Sequence, residues 1–184
     1  MNRIIELKQI ERQLILYDVF RYFEEVTFRD IEFVLPGLGK RMIQRDIKDL
    51  TDAGLIHVSY DRSRQAYVSL EEETNLPEAD AEGHCGGEIP QGALAKKEKH
   101  YYRLRRLAFC MKLTYCADPV KEYFEEFPEA TERMRLRDFE VLRRIGYEAG
   151  YSRECEGIIV DNNYANPYDG YDVRRKEGKL VRYR

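Results

Sequence analysis

Residues 41–54 read RMIQRDIKDLTDAG, and residues 133–146 read RMRLRDFEVLRRIG. At this offset of 92, six of the fourteen positions are identical, and Ile47 against Phe139 is a conservative seventh. At the same offset Tyr67-Val68 falls on Ile159-Val160. Coincidence explains this poorly, so the chain reads as a module present twice. In the first stretch Ile43, Ile47 and Leu50 mark one helical face at spacings of four and three, and Gly54 is a natural stop.

The flanks extend each copy in the same order. Upstream of the first, Ile10, Leu14, Tyr17, Val19, Phe20 and Phe23 recur at helical spacing, predicting a helix across about residues 5–24. Thr27 with Asp30 is a near capping box for a short second helix ending near Val34, and the turn Leu35-Pro36-Gly37-Leu38-Gly39 follows it. Downstream, LIHVSY and AYVSL flank the polar tip Asp61-Arg62-Ser63-Arg64-Gln65, which is a hairpin pattern. In the second copy, Leu104, Leu107, Cys110, Met111 and Leu113 predict a helix over about 96–115. Asp118-Pro119 opens a helix carrying Val120, Tyr123, Phe124 and Phe127, and Thr131 caps the next, with Phe139, Leu142 and Ile145 as its buried stripe. A hairpin follows from Tyr147 to Val160, turning at residues 153–157. The expected fold is mainly α with small β-hairpin wings (α+β): two winged helix-turn-helix domains in tandem. Their bounds are 1–70 and 96–160, with an acidic flexible linker over 71–95 and a basic C-terminal tail over 161–184.

Charge distribution supports that division. The 184 residues carry a net charge of −3. Residues 71–95 hold seven acids and no Lys or Arg, and without those acids the remainder carries +4. Nucleic acid is therefore not excluded by the overall balance. No apolar run reaches membrane-spanning length and the N-terminus lacks a signal-peptide core, so a cytoplasmic protein with no membrane partner is expected.

An α-helix fits the major groove, where Arg pairs with guanine, Gln with adenine, and Lys or Arg neutralise phosphates. The side of the third helix opposite its apolar stripe presents Lys40, Arg41, Gln44, Arg45 and Lys48, a formal +4. Arg62 and Arg64 on the hairpin tip are placed for an adjacent phosphate or minor groove. The competing reading is an ordinary solvated helix balanced by Asp46, Asp49 and Asp52. In the second copy the matching positions are Glu132, Arg133, Leu136, Arg137 and Glu140, whose formal charge is zero. There Arg133, Leu136 and Arg137, with Arg103 and Arg106 from the basic stretch Lys96–Arg106, form a second candidate site for DNA or a partner protein.

The stretch GKRMIQRDIKDLTDAGLI, followed by a wing ending in AYV, resembles the N-terminal winged helix of bacterial DeoR-type and WYL-domain transcription regulators. Their third helix reads R-x-x-x-R-D-[IL]-x-x-L-x-x-x-G-[LY]-[IL], which Arg41, Arg45, Asp46, Ile47, Leu50, Gly54 and Leu55 match. DPVKEYFEEFPEATERMRLRDFEVLRRIGYE resembles the same module again. The resemblance covers roughly residues 10–70 well and 100–160 moderately. It implies a sequence-specific regulator that binds double-stranded DNA through Arg41, Gln44, Arg45 and their neighbours, as a homodimer or through the tandem pair. Gly39 stands where the family has Ser or Thr. Neither the sugar-phosphate-sensing domain nor the WYL domain is recognisable, so the small-molecule effector is left unassigned.

Other chemistry is weakly represented. The cysteines at 85, 110, 116 and 155 lack zinc-knuckle or redox spacing, and reduced thiols with Cys110 in a core are expected, with no metal or cofactor. No Gly-rich phosphate loop or nucleophile elbow is present, and Asp161-Asn162-Asn163 with Asp169 and Asp172 lacks EF-hand spacing. The expectation is a binding protein, not an enzyme. Tyr101 and Tyr102 suit either base stacking or partial core burial. The alternative function is a winged-helix adaptor that binds a protein rather than DNA.

Overall fold

The computed structural model describes residues 7–70, 95–114, 116–161, 172–176 and 179–183, the last two stretches as backbone. The first unit comprises α1 (Gln9–Tyr22), β1 (Glu25–Thr27), α2 (Phe28–Val34), α3 (Lys40–Asp52), β2 (Val58–Asp61) and β3 (Ala66–Ser69). The second comprises α4 (Ala95–Cys110), α5 (Pro119–Glu126), α6 (Glu132–Arg144), β4 (Glu148–Ser152) and β5 (Gly157–Asp161). Two further strands, β6 (Asp172–Lys176) and β7 (Lys179–Tyr183), close the order. The chain is thus mainly helical with small, largely antiparallel sheets. Among the described residues, no helix is long and apolar enough to cross a membrane.

The local chemistry sets the helix bounds. Asp30 N donates to Thr27 Oγ1 at 3.2 Å while Thr27 N donates to Asp30 Oδ2 at 3.0 Å, so the capping box is complete. Lys121 N donates to the Asp118 carboxylate at 3.0 Å, with Pro119 in the first turn. Met134 N reaches Thr131 Oγ1 at 3.3 Å. Both α3 and α6 end alike: Leu55 N bonds the Leu50 carbonyl and Tyr147 N the Leu142 carbonyl, each at 3.0 Å. That closure needs a left-handed residue, supplied by Gly54 at φ 72° and Gly146 at φ 102°. The helices α3 and α6 lie 92 residues apart at both ends.

The hairpins keep a different offset. Asp61 pairs with Ala66 across one four-residue tip and Ser152 with Gly157 across the other, so the tips lie 91 residues apart. The residue that structurally matches Tyr67 is therefore Ile158, not Ile159. Each tip ends on a left-handed residue, Gln65 at φ 52° and Glu156 at φ 50°.

Several expectations shift. The helix expected at 96–115 ends at Cys110, because Lys112 N and Leu113 N bond the carbonyls of Phe109 and Cys110, a tighter turn. Ala95, placed in the linker, begins α4 and is buried; linker residues 71–94 lie outside the described residues. The short strand β1 was not anticipated. It pairs antiparallel with β3, Val26 against Tyr67, and parallel with β7, Glu25 against Lys179. The segment read only as a basic tail thus supplies two strands to a five-stranded sheet of order β2-β3-β1-β7-β6.

One hydrophobic core runs through both units. Leu16, Tyr17, Asp18 and Val19 are consecutive and all buried, and at about 100° per residue they occupy every side of α1. The reason is that α1 packs on α3 within its own unit and on α4 of the other. In the second unit, Phe127 meets Tyr102, Phe109 and Tyr123 at ring-centroid distances of 5.9, 5.5 and 5.7 Å, geometry that suits aromatic quadrupoles.

Candidate nucleic-acid interface

The acids of α3 decide what its outer face presents. Asp46 is 1% exposed, because it shares the buried stripe with Ile43, Ile47 and Leu50. Arg12 Nε on α1 donates to its Oδ2 at 3.0 Å. Burial raises the Asp46 pKa, and the hydrogen bond and charge of Arg12 only partly oppose that. The pair ties α3 to α1 at a carboxylate that is closed to solvent. Asp49 accepts from Gln9 at 3.1 Å and Gln13 at 3.0 Å. Asp52 accepts from Lys97 Nζ at 2.9 Å and Tyr101 Oη at 3.1 Å. The Lys97 and Tyr101 bonds hold its carboxyl below the usual range.

The basic residues remain outside. Lys40, Arg41, Gln44, Arg45 and Lys48 are all exposed. No hydrogen bond or ion pair joins Arg41, Gln44 or Arg45 to another described residue. Lys40 Nζ lies 5.4 Å from the centroid of the Phe28 ring, and Lys48 is 3.6 Å from Asp52. At the hairpin tip, Asp61 accepts from Ser63 N at 2.8 Å and Arg64 N at 3.3 Å, a local turn that shapes the tip. Arg62 projects from it exposed. Arg64 is held at 3.4 Å from Glu25 and 3.5 Å from Asp61, so its charge is partly spent on the sheet.

The second candidate set loses one member, Arg106, to the core. Arg133, Leu136 and Arg137 are exposed on α6. Arg106, however, is 5% exposed, and its Nε donates to Asp138 Oδ2 at 2.8 Å. It is a core ion pair and cannot meet a ligand, because Asp138 occupies in α6 the place of Asp46 in α3. Tyr123 Oη also donates to Asp138 at 2.9 Å, and Arg103 lies at 3.9 Å. The Arg103 side chain remains 42% exposed, so of the two α4 residues only Arg106 is removed from the candidate surface. Arg135, in the position of Ile43, is buried; it bonds Glu132 and stacks over Phe139 at 5.0 Å.

Sequence reasoning missed this repeated pair, Arg12–Asp46 and Arg106–Asp138. A signal existed: the doublets Arg45-Asp46 and Arg137-Asp138 are identical, and each Asp falls on the apolar stripe.

Tyr102 and Cys110 follow the core reading. Tyr102 is buried and Tyr101 bonds the α3 acids, so neither is offered to a base. Burial pushes the Cys110 thiol well up. Among the described residues no group of His, Cys, Asp and Glu is arranged to hold a metal. Comparison with known protein families, curated proteins and solved structures finds no match.

Proposed function

We propose that the chain is a sequence-specific double-stranded DNA-binding regulator of transcription, built of two winged helix-turn-helix units of the DeoR and WYL-regulator kind. In this reading α3 enters the major groove. Arg41, Gln44 and Arg45 face base edges, while Lys40, Lys48 and Arg62 neutralise phosphates. The observation that carries it is the sorting of charge on α3. Asp46 is buried under Arg12, Asp49 accepts from Gln9 and Gln13 of α1, and Asp52 is shared between Lys97 of α4 and Lys48, while Lys40, Arg41 and Arg45 stay exposed. Arg41 and Arg45 are thereby left with no ion pair to the acids of α3, which a helix balanced along its own surface would supply. The second unit assists through Arg133 and Arg137. The chemistry is binding, with no cofactor and no reaction.

A titration of labelled duplex at several salt concentrations tests this. Affinity should fall steeply with salt, and Arg41→Ala or Arg45→Ala should weaken it about tenfold or more. Unchanged binding in both variants would remove α3 as the reader.

The adaptor reading draws on one observation, the exposure of Leu136 at 52% and Tyr151 at 70% on the second unit. Large exposed apolar side chains suit a protein partner. A stoichiometric protein partner in a pull-down, with no duplex enriched by selection, would favour it.

A further inference from the structure

We propose that one chain by itself is the DNA-reading unit, and that its site is an asymmetric duplex of two unlike half-sites rather than a palindrome. This rests on the reading of α3 as a groove-reading helix.

The two units meet reciprocally. The end of α3 meets the start of α4, through Asp52 with Lys97 and Tyr101. The end of α6 meets α1, through Arg144 Nε at 3.0 Å from Glu11 and Tyr147 Oη at 3.3 Å from Asp18. Between them α1 meets α4, where His100 Nε2 and Gln13 Oε1 lie 2.9 Å apart. Reciprocal exchange of like elements is the pattern of an isologous dimer interface. Here both partners belong to one chain.

That seam occupies, within one chain, the surface that a second copy would need in order to repeat this contact. Glu11, Gln13 and Asp18 on α1 are buried beneath the second unit or against α3. A site recognised by two half-reading helices therefore needs no second copy, and the expected homodimer is replaced by the duplication itself.

The two reading faces then differ. A homodimer presents identical helices and selects an inverted repeat. This chain presents α3, with Gln44 among four cations, and α6, with Leu136 in that place and Glu132 tied to Arg135. Arg133 and Arg137 are balanced in formal charge by Glu132 and Glu140. The α3 half-site should carry base identity and most phosphate contacts. The α6 half-site should be read thinly, by apolar contact with thymine methyls and a few phosphates.

The test is selection of duplexes from a random-core library by the full chain, followed by sedimentation of the protein with the enriched duplex. One chain per duplex and a motif without two-fold symmetry is the result expected. Gln44→Ala should cost about tenfold in discrimination at one half only, and Leu136→Ala about threefold or less at the other. Both side chains are exposed, so neither substitution threatens folding. Two chains on an inverted repeat would overturn the single-chain inference while leaving DNA binding intact. Both substitutions acting on the same base pairs would overturn it as well. No enriched duplex would overturn the DNA reading itself, and this inference with it.

Discussion

The helices α3 and α6 share length, a left-handed glycine stop and a buried Asp, yet their outer faces differ. What is common to both lies inside: Arg12–Asp46 at 3.0 Å in one unit, Arg106–Asp138 at 2.8 Å in the other. What differs lies outside: Gln44 against Leu136, Lys40 against Glu132, Lys48 against Glu140. The first set holds each helix in place, and the second faces outward. The buried Arg–Asp pair joins each third helix to the first helix of its unit, and the outer residues take no part in that contact.

The largest effect expected from breaking this comparison is on stability. Asp138→Ala strands Arg106, whose side chain is only 6% exposed, and removes the acceptor of Tyr123. It should cost about 3–5 kcal/mol in urea unfolding. Asp46→Ala should cost less, about 2–3 kcal/mol, because Arg12 is 14% exposed and keeps the Leu7 carbonyl at 3.4 Å. Equal losses would mean that the two pairs are not graded by burial.

Next in size is the seam between the units. Tyr147→Phe removes the hydroxyl that donates to the buried Asp18 carboxylate, and should cost about 1 kcal/mol with the fold intact. A loss near zero would indicate that Asp18 is satisfied by Arg21, 3.6 Å away, alone.

The smallest effect concerns pH. Burial lowers the His100 pKa, with Asp49 opposing and Arg103 assisting. A depressed histidine contributes stability that is present above its unfolded value of about 6.5 and is lost as pH falls through the folded value. Acidification below about 6.5 should thus weaken the seam, and His100→Gln should flatten that part of the stability profile, read as urea midpoints between neutral and mildly acidic pH. An identical slope in wild type and variant would place the titrating group elsewhere.

The sequence made the local features of this fold legible and left the long-range ones hidden. Thr27, Asp118 and Thr131 cap the helices they were expected to cap, and Gly54 stops α3, because each acts within a few residues of itself. The strand β1 is only three residues long and acquires its identity from β3 and β7, so no local pattern announces it. The same holds at the candidate site. The exposure of Arg41, Gln44 and Arg45 followed from helical periodicity, whereas the fate of Asp49 and Asp52 depended on Gln13, Lys97 and Tyr101 arriving from elsewhere in the chain. Arg106 illustrates the opposite failure. It lies in a basic run that reads as part of a DNA or partner surface, and its partner is 32 residues away.

Arg41 and Arg133 occupy the same place in the two helices, 92 residues apart, and both are exposed. Titrating Arg41→Ala and Arg133→Ala in parallel against a duplex selected by the wild-type chain compares the two faces directly. The charge sorting on α3 predicts a loss of about tenfold or more for Arg41→Ala and about threefold or less for Arg133→Ala. Equal losses, or the larger loss in Arg133→Ala, would contradict it.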